Sequence, residues 1–279
     1  MQPFLKWAGG KRQLLPQIKP YIPEIGENTY FEPFLGAGAM LFSIQPHNAI
    51  VNDINSELYN VYKVIADEQL FEELIEDLRS HVNESEYFYE IRALDRSEDY
   101  QNLSPVKKAS RFIFLNKTCF NGLYRVNSKG QFNVPFGKYK KPEIVNEAVL
   151  REVHQFLNQS NITFLNGDFK AAVKEAKSGD FVYFDPPYDP VSQTSSFTSY
   201  AQEGFGKAEQ YELRDVFKQL NDRGCKVLLS NSDTPFIREI YEGFNIVTVQ
   251  ANRAINSKAE GRGKINEVLV VGDYYDFSK

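Results

Sequence analysis

Residues 30–34 (Tyr-Phe-Glu-Pro-Phe) form a short apolar run that breaks at Leu35-Gly36-Ala37-Gly38-Ala39. A second apolar run follows at 40–44, and a third at 49–52 stops at Asp53. The pattern reads as strand, glycine turn, helix, strand. Two strands joined through one helix must return to the same end of the sheet, so they lie parallel, and the chain is expected to be an α/β protein. Residues 56–78 then carry Leu58, Val61, Ile65, Leu70, Leu74 and Leu78 at helical spacing, which predicts one helix over that stretch.

The middle of the chain departs from this alternation. Ser104 before Pro105 has the form of an N-cap with proline at the first helical position, leading a helix through Phe112 and Leu115 that stops near Asn121-Gly122. Residues 123–126 and 131–134 flank Ser128-Lys129-Gly130 and predict a hairpin. Alternation resumes with strands at 162–165 and 181–184 around a helix at 169–177, a helix at 208–220 closed by Gly224, and a strand at 226–230. Residues 244–250 and 267–271 read as an antiparallel pair. The expected organisation is an α/β core built from residues 1–55 and 161–279, interrupted by a mixed helical and hairpin insert at 56–160.

The charge pattern sharpens this division. Lys and Arg number 32 against 37 Asp and Glu, a net charge of -5 that by itself argues against a nucleic-acid partner. Between Pro105 and Pro142, however, Lys107, Lys108, Arg111, Lys117, Arg125, Lys129, Lys138, Lys140 and Lys141 occur with no acidic residue among them, whereas residues 57–99 are rich in Asp and Glu. The molecule is therefore polarised, and the basic stretch is either a solvated face or an electrostatic footprint for DNA. Cys119 and Cys225 are far apart, and His47, His81 and His154 are scattered, so no disulfide framework or metal site is expected. No apolar run reaches membrane-spanning length and the N-terminal MQPFLKWAGGKRQ lacks a secretory core, so a cytoplasmic protein without a membrane partner is expected.

Asp185-Pro186-Pro187-Tyr188 directly follows the apolar run 181–184, which puts it at the carboxyl end of a strand, where open α/β sheets bind ligands. Two prolines stiffen this turn, and Pro187 has no backbone donor, so the turn offers chiefly acceptors. The amino group of adenine is a weak nucleophile because its lone pair is delocalised into the ring. Acceptors that hold its hydrogens, the Asp185 carboxylate and the Pro186 carbonyl, ease attack, and Tyr188 can stack on the base. A proline-stiffened surface loop is the plainer alternative. Asp53, at the end of the next strand, suits the hydroxyls of a ribose, and the glycine loop lacks the spacing for a pyrophosphate, which favours S-adenosylmethionine over a nicotinamide dinucleotide. Trp7, between Lys6 and Lys11 and beside a glycine pair, is either a buried N-terminal anchor or part of a loop that closes over a ligand.

Taken together, FLKWAGGK, FEPFLGAGA, Asp53, FNGLYRVNSKGQFNVPFGKYKKP at 120–142, GDF at 167–169, DPPY and FTSYAQEGF at 197–205 closely resemble the Dam-like, alpha-group DNA adenine methyltransferases over nearly the whole chain, including the methylases of DpnII-type restriction systems. The resemblance implies a Rossmann-like, S-adenosylmethionine-dependent core with a mostly parallel seven-stranded sheet, and makes 56–160 the target-recognition domain. It assigns cofactor contacts to Trp7, Lys11, Phe34, Gly36, Asp53, Asp168 and Asp185, and the target adenine to Asp185, Pro186 and Tyr188. DNA contacts fall on Lys6, Phe120, Asn121, Arg125, Asn133, Pro135 and Lys138, with Arg125 and Pro135 reading base edges of GATC in double-stranded DNA, Phe120 as a wedge, and Asn121 and Asn133 in support. Arg to guanine is the commonest specific pairing in the major groove, so the chemistry agrees. The resemblance leaves open a restriction-system member or an orphan methylase, and a monomer or a weak homodimer.

Base flipping is expected, because a stacked adenine cannot present its amino group to a buried methyl donor. Two competing readings differ in class. An RNA or protein methyltransferase would share the cofactor loop without needing the 120–138 hairpin, and a DNA-binding regulator would bind duplex with steep salt dependence but modify nothing.

Overall fold

The computed structural model describes residues 1–7, 11–191, 204–252 and 264–278. A seven-stranded sheet is built from β1 (Tyr30–Glu32), β2 (Asn48–Asn52), β3 (Asn161–Leu165), β4 (Phe181–Phe184), β5 (Lys226–Ser232), β6 (Asn245–Asn252) and β7 (Lys264–Val271). The strand order is β3-β2-β1-β4-β5-β7-β6. β1 pairs in parallel with β2 and β4, β4 pairs in parallel with β5, and β7 runs antiparallel to both β5 and β6. The expected α/β class and mostly parallel sheet are thus observed, as is the antiparallel closing pair. β4 is buried along its whole length, as its unbroken Phe-Val-Tyr-Phe run requires of a strand covered on both faces.

Several boundaries differ from the sequence expectation. β1 stops at Glu32, before Pro33, which has no N–H to extend the ladder. The helix expected at 56–78 is two helices, Ser56–Ala66 and Glu68–Arg79, because Asp67 adopts an extended conformation and its side chain accepts from Gln69 and Leu70 N–H as an N-cap. The helix expected at 169–177 is only Phe169–Ala172; beyond it the Ala176 N–H donates to the Val173 carbonyl and the Lys177 N–H to the Asp180 carboxylate. β6 and β7 are longer than expected, their ladder continuing to Asn252 opposite Lys264. The hairpin at 123–134 is not a regular two-stranded ribbon. It has one antiparallel bridge, Val126 with Phe132, and backbone bonds from Asn133 to Arg125 and from Asn127 to Gln131, with a second bridge, Cys119 with Phe136, at its base. Two further helices lie in the middle region, Ser85–Ala93 and Glu147–Gln159, the second with Val149, Leu150, Val153, Phe156 and Leu157 on one buried face, a signal that the sequence expectation did not use.

The chain packs as two compact units, Met1–Gly10, Leu35–Gln45 and Asn52–Asn166 in the first, and Lys11–Phe34, Pro46–Val51 and Gly167–Lys279 in the second. The first unit holds the Pro105–Thr118 helix, capped by Ser104 as expected. Phe114 and Leu115 of that helix, and Cys119 just beyond it, pack against Phe88 of the Ser85–Ala93 helix and against Phe132 and Val134 of the hairpin. The core of the second unit centres on Phe31, Val182, Phe184, Val227, Leu229 and Val268. Each such side chain contributes about 1.5–3 kcal/mol on full burial. Among the described residues no helix is long and apolar enough to cross a membrane.

Candidate active site and DNA-binding face

In the second unit the strand order reverses between β1 and β4, the place where open α/β sheets leave a crevice at their carboxyl ends. The turn Asp185-Pro186-Pro187-Tyr188 leaves β4 at that point. Asp185 Oδ1 accepts from Lys11 Nζ at 2.9 Å and from Ser230 Oγ at 3.0 Å. Its side chain is 22% exposed while that of Lys11 is 4% exposed. Lys11 also stands 4.5 Å from the centre of the Tyr188 ring, and the Tyr188 hydroxyl donates to Glu267 Oε2 at 2.8 Å. Three residues expected at the site, Lys11, Asp185 and Tyr188, are therefore brought into one cluster, with Pro186 buried between the last two.

Burial raises the Asp185 carboxyl above the ordinary carboxylate range, against the lowering influence of Lys11 and Ser230. Glu267 is raised for the same reason, again opposed by Lys11 and by the Tyr188 hydrogen bond. The Tyr183 hydroxyl, within 2.9 Å of Ser230 Oγ, is held well above its usual value by burial and by Asp185. The cluster is thus a desolvated group of carboxylates and phenols around one ammonium, a setting in which hydrogen-bonding groups act strongly on a bound charge.

The turn itself is pinned from β5 and from the Lys207–Asp222 helix. Gln210 Nε2 donates to the Pro187 carbonyl at 2.9 Å, and Asn231 links Gln210 to the Asp189 N–H. The Ser232 hydroxyl donates to the Asp189 carbonyl and the Thr234 hydroxyl to the Asp189 carboxylate. Sequence reasoning missed Ser230, Asn231, Ser232 and Glu267. A signal was present: Ser-Asn-Ser closes an otherwise apolar strand, and buried polar side chains require partners. Phe34 stacks on Phe169 at 5.3 Å between ring centres and meets Phe184 and Phe205 edge-on. Asp168 caps the Phe169–Ala172 helix through the Lys170 N–H, with its side chain 54% exposed.

In the first unit the Asp53 carboxylate accepts from two backbone donors, Gly36 N–H at 2.9 Å and Asn55 N–H at 2.9 Å. Burial raises its pKa and these two bonds oppose the rise. The Gly36 carbonyl accepts from the Tyr62 hydroxyl at 2.9 Å. Gly36 has φ of 51°, and a Cβ there would lie 2.9 Å from Trp7 Nε1. Trp7 in turn stacks with Tyr124 and Phe112. Trp7, Gly36 and Asp53 are therefore neighbours. Ile54, beside Asp53, is 78% exposed, an unusual position for a large aliphatic side chain and one that sequence reasoning did not single out. Ala8–Gly10, and 197–203 of FTSYAQEGF, lie outside the described residues.

The hairpin of the same unit has two chemically distinct faces. Phe132 and Val134 are buried, while Phe120, Asn121, Arg125, Pro135 and Lys138 are exposed and Asn133 is half-buried. The Phe120 N–H donates to the Pro135 carbonyl at 2.8 Å. Arg125 donates to Asn133 Oδ1 at 2.6 Å and to the Asn133 carbonyl at 3.2 Å. Lys6 exchanges two hydrogen bonds with Asn116, and its ammonium lies 4.1 Å from the centre of the Tyr139 ring, which joins the N-terminus to the hairpin base. All seven residues expected to contact DNA thus occur on or against one element. A separate cavity of about 50 Å³, lined by Glu57, Tyr100, Arg111, Phe112 and Tyr124 among others, has room for a water or two but not for a nucleoside. Among the described residues no group of three His, Cys, Asp or Glu is placed to hold a metal ion.

Residues 7–255 match the family described as D12 class N6 adenine-specific DNA methyltransferase. The chain belongs to this family. It is 49% identical to the type II methyltransferase M1.LlaDCHI of Lactococcus lactis subsp. cremoris, over 97% of this chain and 95% of that one. It is 43% identical to the type II methyltransferase M.MjaIII of Methanocaldococcus jannaschii, over 97% and 99%. It is also 36% identical to the DNA adenine methylase of Escherichia coli strain K12, over 96% and 94%. The enzyme is therefore an adenine-specific DNA methyltransferase whose substrate is DNA, as the expected activity required.

Proposed function

We propose that this methyltransferase moves a methyl group from S-adenosylmethionine to N6 of an adenine flipped out of duplex GATC, with residues 1–55 and 161–279 as the catalytic core and 56–160 as the target-recognition domain. One observation carries the reading: a largely buried carboxylate, Asp185, held by Lys11 and Ser230 at the carboxyl end of β4 and followed by two prolines and a tyrosine. GATC rests on the resemblance of 120–142. The two type II relatives support a place in a restriction-modification system.

The residues present fit this donor. In the second unit Asp168 and Asp185 supply acceptors for hydroxyl and ammonium groups and Phe34 an aromatic face; in the first, Asp53 supplies an acceptor and the side-chain-free Gly36 beside Trp7 a close backbone approach. Bound S-adenosylmethionine supplies a methyl on a sulfonium, whose displacement leaves a neutral thioether. Asp185 and the Pro186 carbonyl accept the two amino hydrogens of adenine, and Tyr188 stacks on its ring. As the new N–C bond forms, the nitrogen becomes cationic and releases one proton toward the carboxylate or water. Catalysis is therefore mainly positioning, which supplies several kcal/mol when the reacting atoms are aligned.

The test is transfer of labelled methyl to a duplex carrying GATC, to the same duplex with one base pair changed, and to RNA of the same sequence. Label in N6-methyladenine of the first alone is expected. Equal labelling of all three, or none with S-adenosylmethionine, overturns the proposal. A smaller effect is expected at the glycine loop. Gly36→Ala places a side chain at positive φ, costing about 1–2 kcal/mol, and pushes it against Trp7. Calorimetry should show S-adenosylmethionine binding weakened by about tenfold, equivalent to about 1.4 kcal/mol, because the new methyl and the displaced Trp7 fill the close approach the glycine offers a ligand. Thermal unfolding should shift down by about 2–4 °C per kcal/mol.

A further inference from the structure

Asn133, which holds Arg125, sits between two residues whose backbone is gripped from one short segment elsewhere in the chain. Arg96 Nη2 donates to the Phe132 carbonyl at 2.6 Å, the Phe132 N–H donates to Asp95 Oδ2 at 2.7 Å, and Arg92 Nη1 donates to the Val134 carbonyl at 3.2 Å. Arg92 lies in the last turn of the Ser85–Ala93 helix, and Asp95 and Arg96 in the single turn that follows it. That segment is itself anchored. Arg111, 5% exposed, pairs with Asp95 at 2.7 Å and donates to the Ile91 and Arg92 carbonyls. Its remaining nitrogen reaches the Tyr100 hydroxyl, which donates to Glu57.

We infer that Arg92, Asp95 and Arg96 are positioning residues that set the register in which Arg125 meets its base. The hairpin has two bridging pairs and a few isolated backbone bonds across it, among them Asn133 N–H to the Arg125 carbonyl at 3.0 Å, which is too little for a continuous ladder. The three bonds supply what the ladder does not: they fix Phe132 and Val134 facing inward, which turns Asn133 outward, and Asn133 aims the Arg125 guanidinium through two hydrogen bonds. A bidentate contact tolerates little misalignment, so slack in this strand is read out as lost discrimination. The inference rests on the reading of the hairpin as the base-recognition element.

The test uses Arg92→Ala, Arg96→Met and Arg96→Lys in the full chain, because Asp95 and Arg111 are buried and their loss leaves a charge unpaired. Four quantities are read: the kcat/KM ratio for GATC against a one-base-pair variant duplex, kcat at saturating GATC, the salt slope of duplex binding, and thermal unfolding. Arg96→Met is expected to lower the ratio about tenfold. Arg96→Lys, which keeps the charge but cannot reach both the Phe132 and Arg92 carbonyls, is expected to lower it comparably, with kcat and the salt slope unchanged in both. Unchanged discrimination in all three overturns the inference. A salt slope that falls by about one in Arg96→Met and recovers in Arg96→Lys also overturns it, since that marks a phosphate contact. Arg125→Ala in parallel separates the two claims: if it leaves discrimination intact, the underlying reading of the hairpin fails, whereas an effect of Arg125→Ala alone removes only the positioning role.

Discussion

Asp185→Ala is expected to lower kcat for adenine methylation by about 10²- to 10³-fold, the scale seen when a preorganised group aimed at developing charge is removed from a desolvated site. The residue accepts from both Lys11 and Ser230 and leads the Pro-Pro-Tyr turn. Truncation also leaves the Lys11 ammonium, 4% exposed, without this partner, so part of the loss could reflect stability. Asp185→Asn separates the two causes. It preserves the shape of the side chain but brings an NH2 where an acceptor is required, so transfer should still collapse while the thermal transition moves less than in the alanine variant. Wild-type single-turnover rates in Asp185→Asn would refute the acceptor role.

The same carboxyl sets an acid limit. Burial makes ionisation costlier in the folded chain than in the unfolded one, so the folded group keeps its proton to higher pH than an ordinary aspartate. The ionised form proposed to accept the amino hydrogens is therefore lost on acidification at a pH above 3.8, the usual aspartate value. The stability contribution has the opposite sense: it is present at low pH and is lost as pH rises through the raised pKa, because the folded state binds the extra proton. A kcat profile with its acid limb at or below that of a free aspartate would contradict this.

Arg125→Ala should cost about 1–3 kcal/mol of discrimination at one base pair of the recognition site, roughly 5- to 150-fold in relative kcat/KM, with little effect on turnover at saturating DNA. Arg125 is exposed and its partners on the hairpin are the side chain and carbonyl of Asn133, so stability should change by no more than about 0.5 kcal/mol. Asn133→Ala keeps the guanidinium but frees its direction, and should fall between Arg125→Ala and the parent enzyme. Steady-state kinetics on GATC and three single-substitution duplexes measures both variants. Uniform loss across all four sequences would instead mark Arg125 as a phosphate contact.

Much of the candidate site was legible because its signals are local. A strand of Phe-Val-Tyr-Phe, a Pro-Pro turn after it, glycines after β1 and Asp53 after β2 are each contiguous in the chain, and the α/β class follows from their alternation. The groups that hold Asp185 and Tyr188 in place were not legible, since Ser230, Asn231 and Glu267 lie roughly 40 to 80 residues from the turn and reach it only through sheet pairing. The break at Asp67 escaped notice because the apolar spacing runs on past it; the capping bonds, not the pattern, end the first helix.

The amino-acid sequence by itself determined the class of sheet, the Asp-Pro-Pro-Tyr turn after β4, the glycine loop with its following aspartate, and the basic, acid-free stretch that carries the hairpin. Tertiary structure alone decided that the Asp53 carboxylate binds the glycine loop by its backbone, that Glu267 holds Tyr188, and that Arg92, Asp95 and Arg96 steady the hairpin. The reason is physical. Backbone preference and hydrophobic period act over a few residues and can be seen in a string of letters, whereas a hydrogen bond between a buried side chain and a distant main-chain group forms only after packing has excluded the water that would otherwise satisfy both.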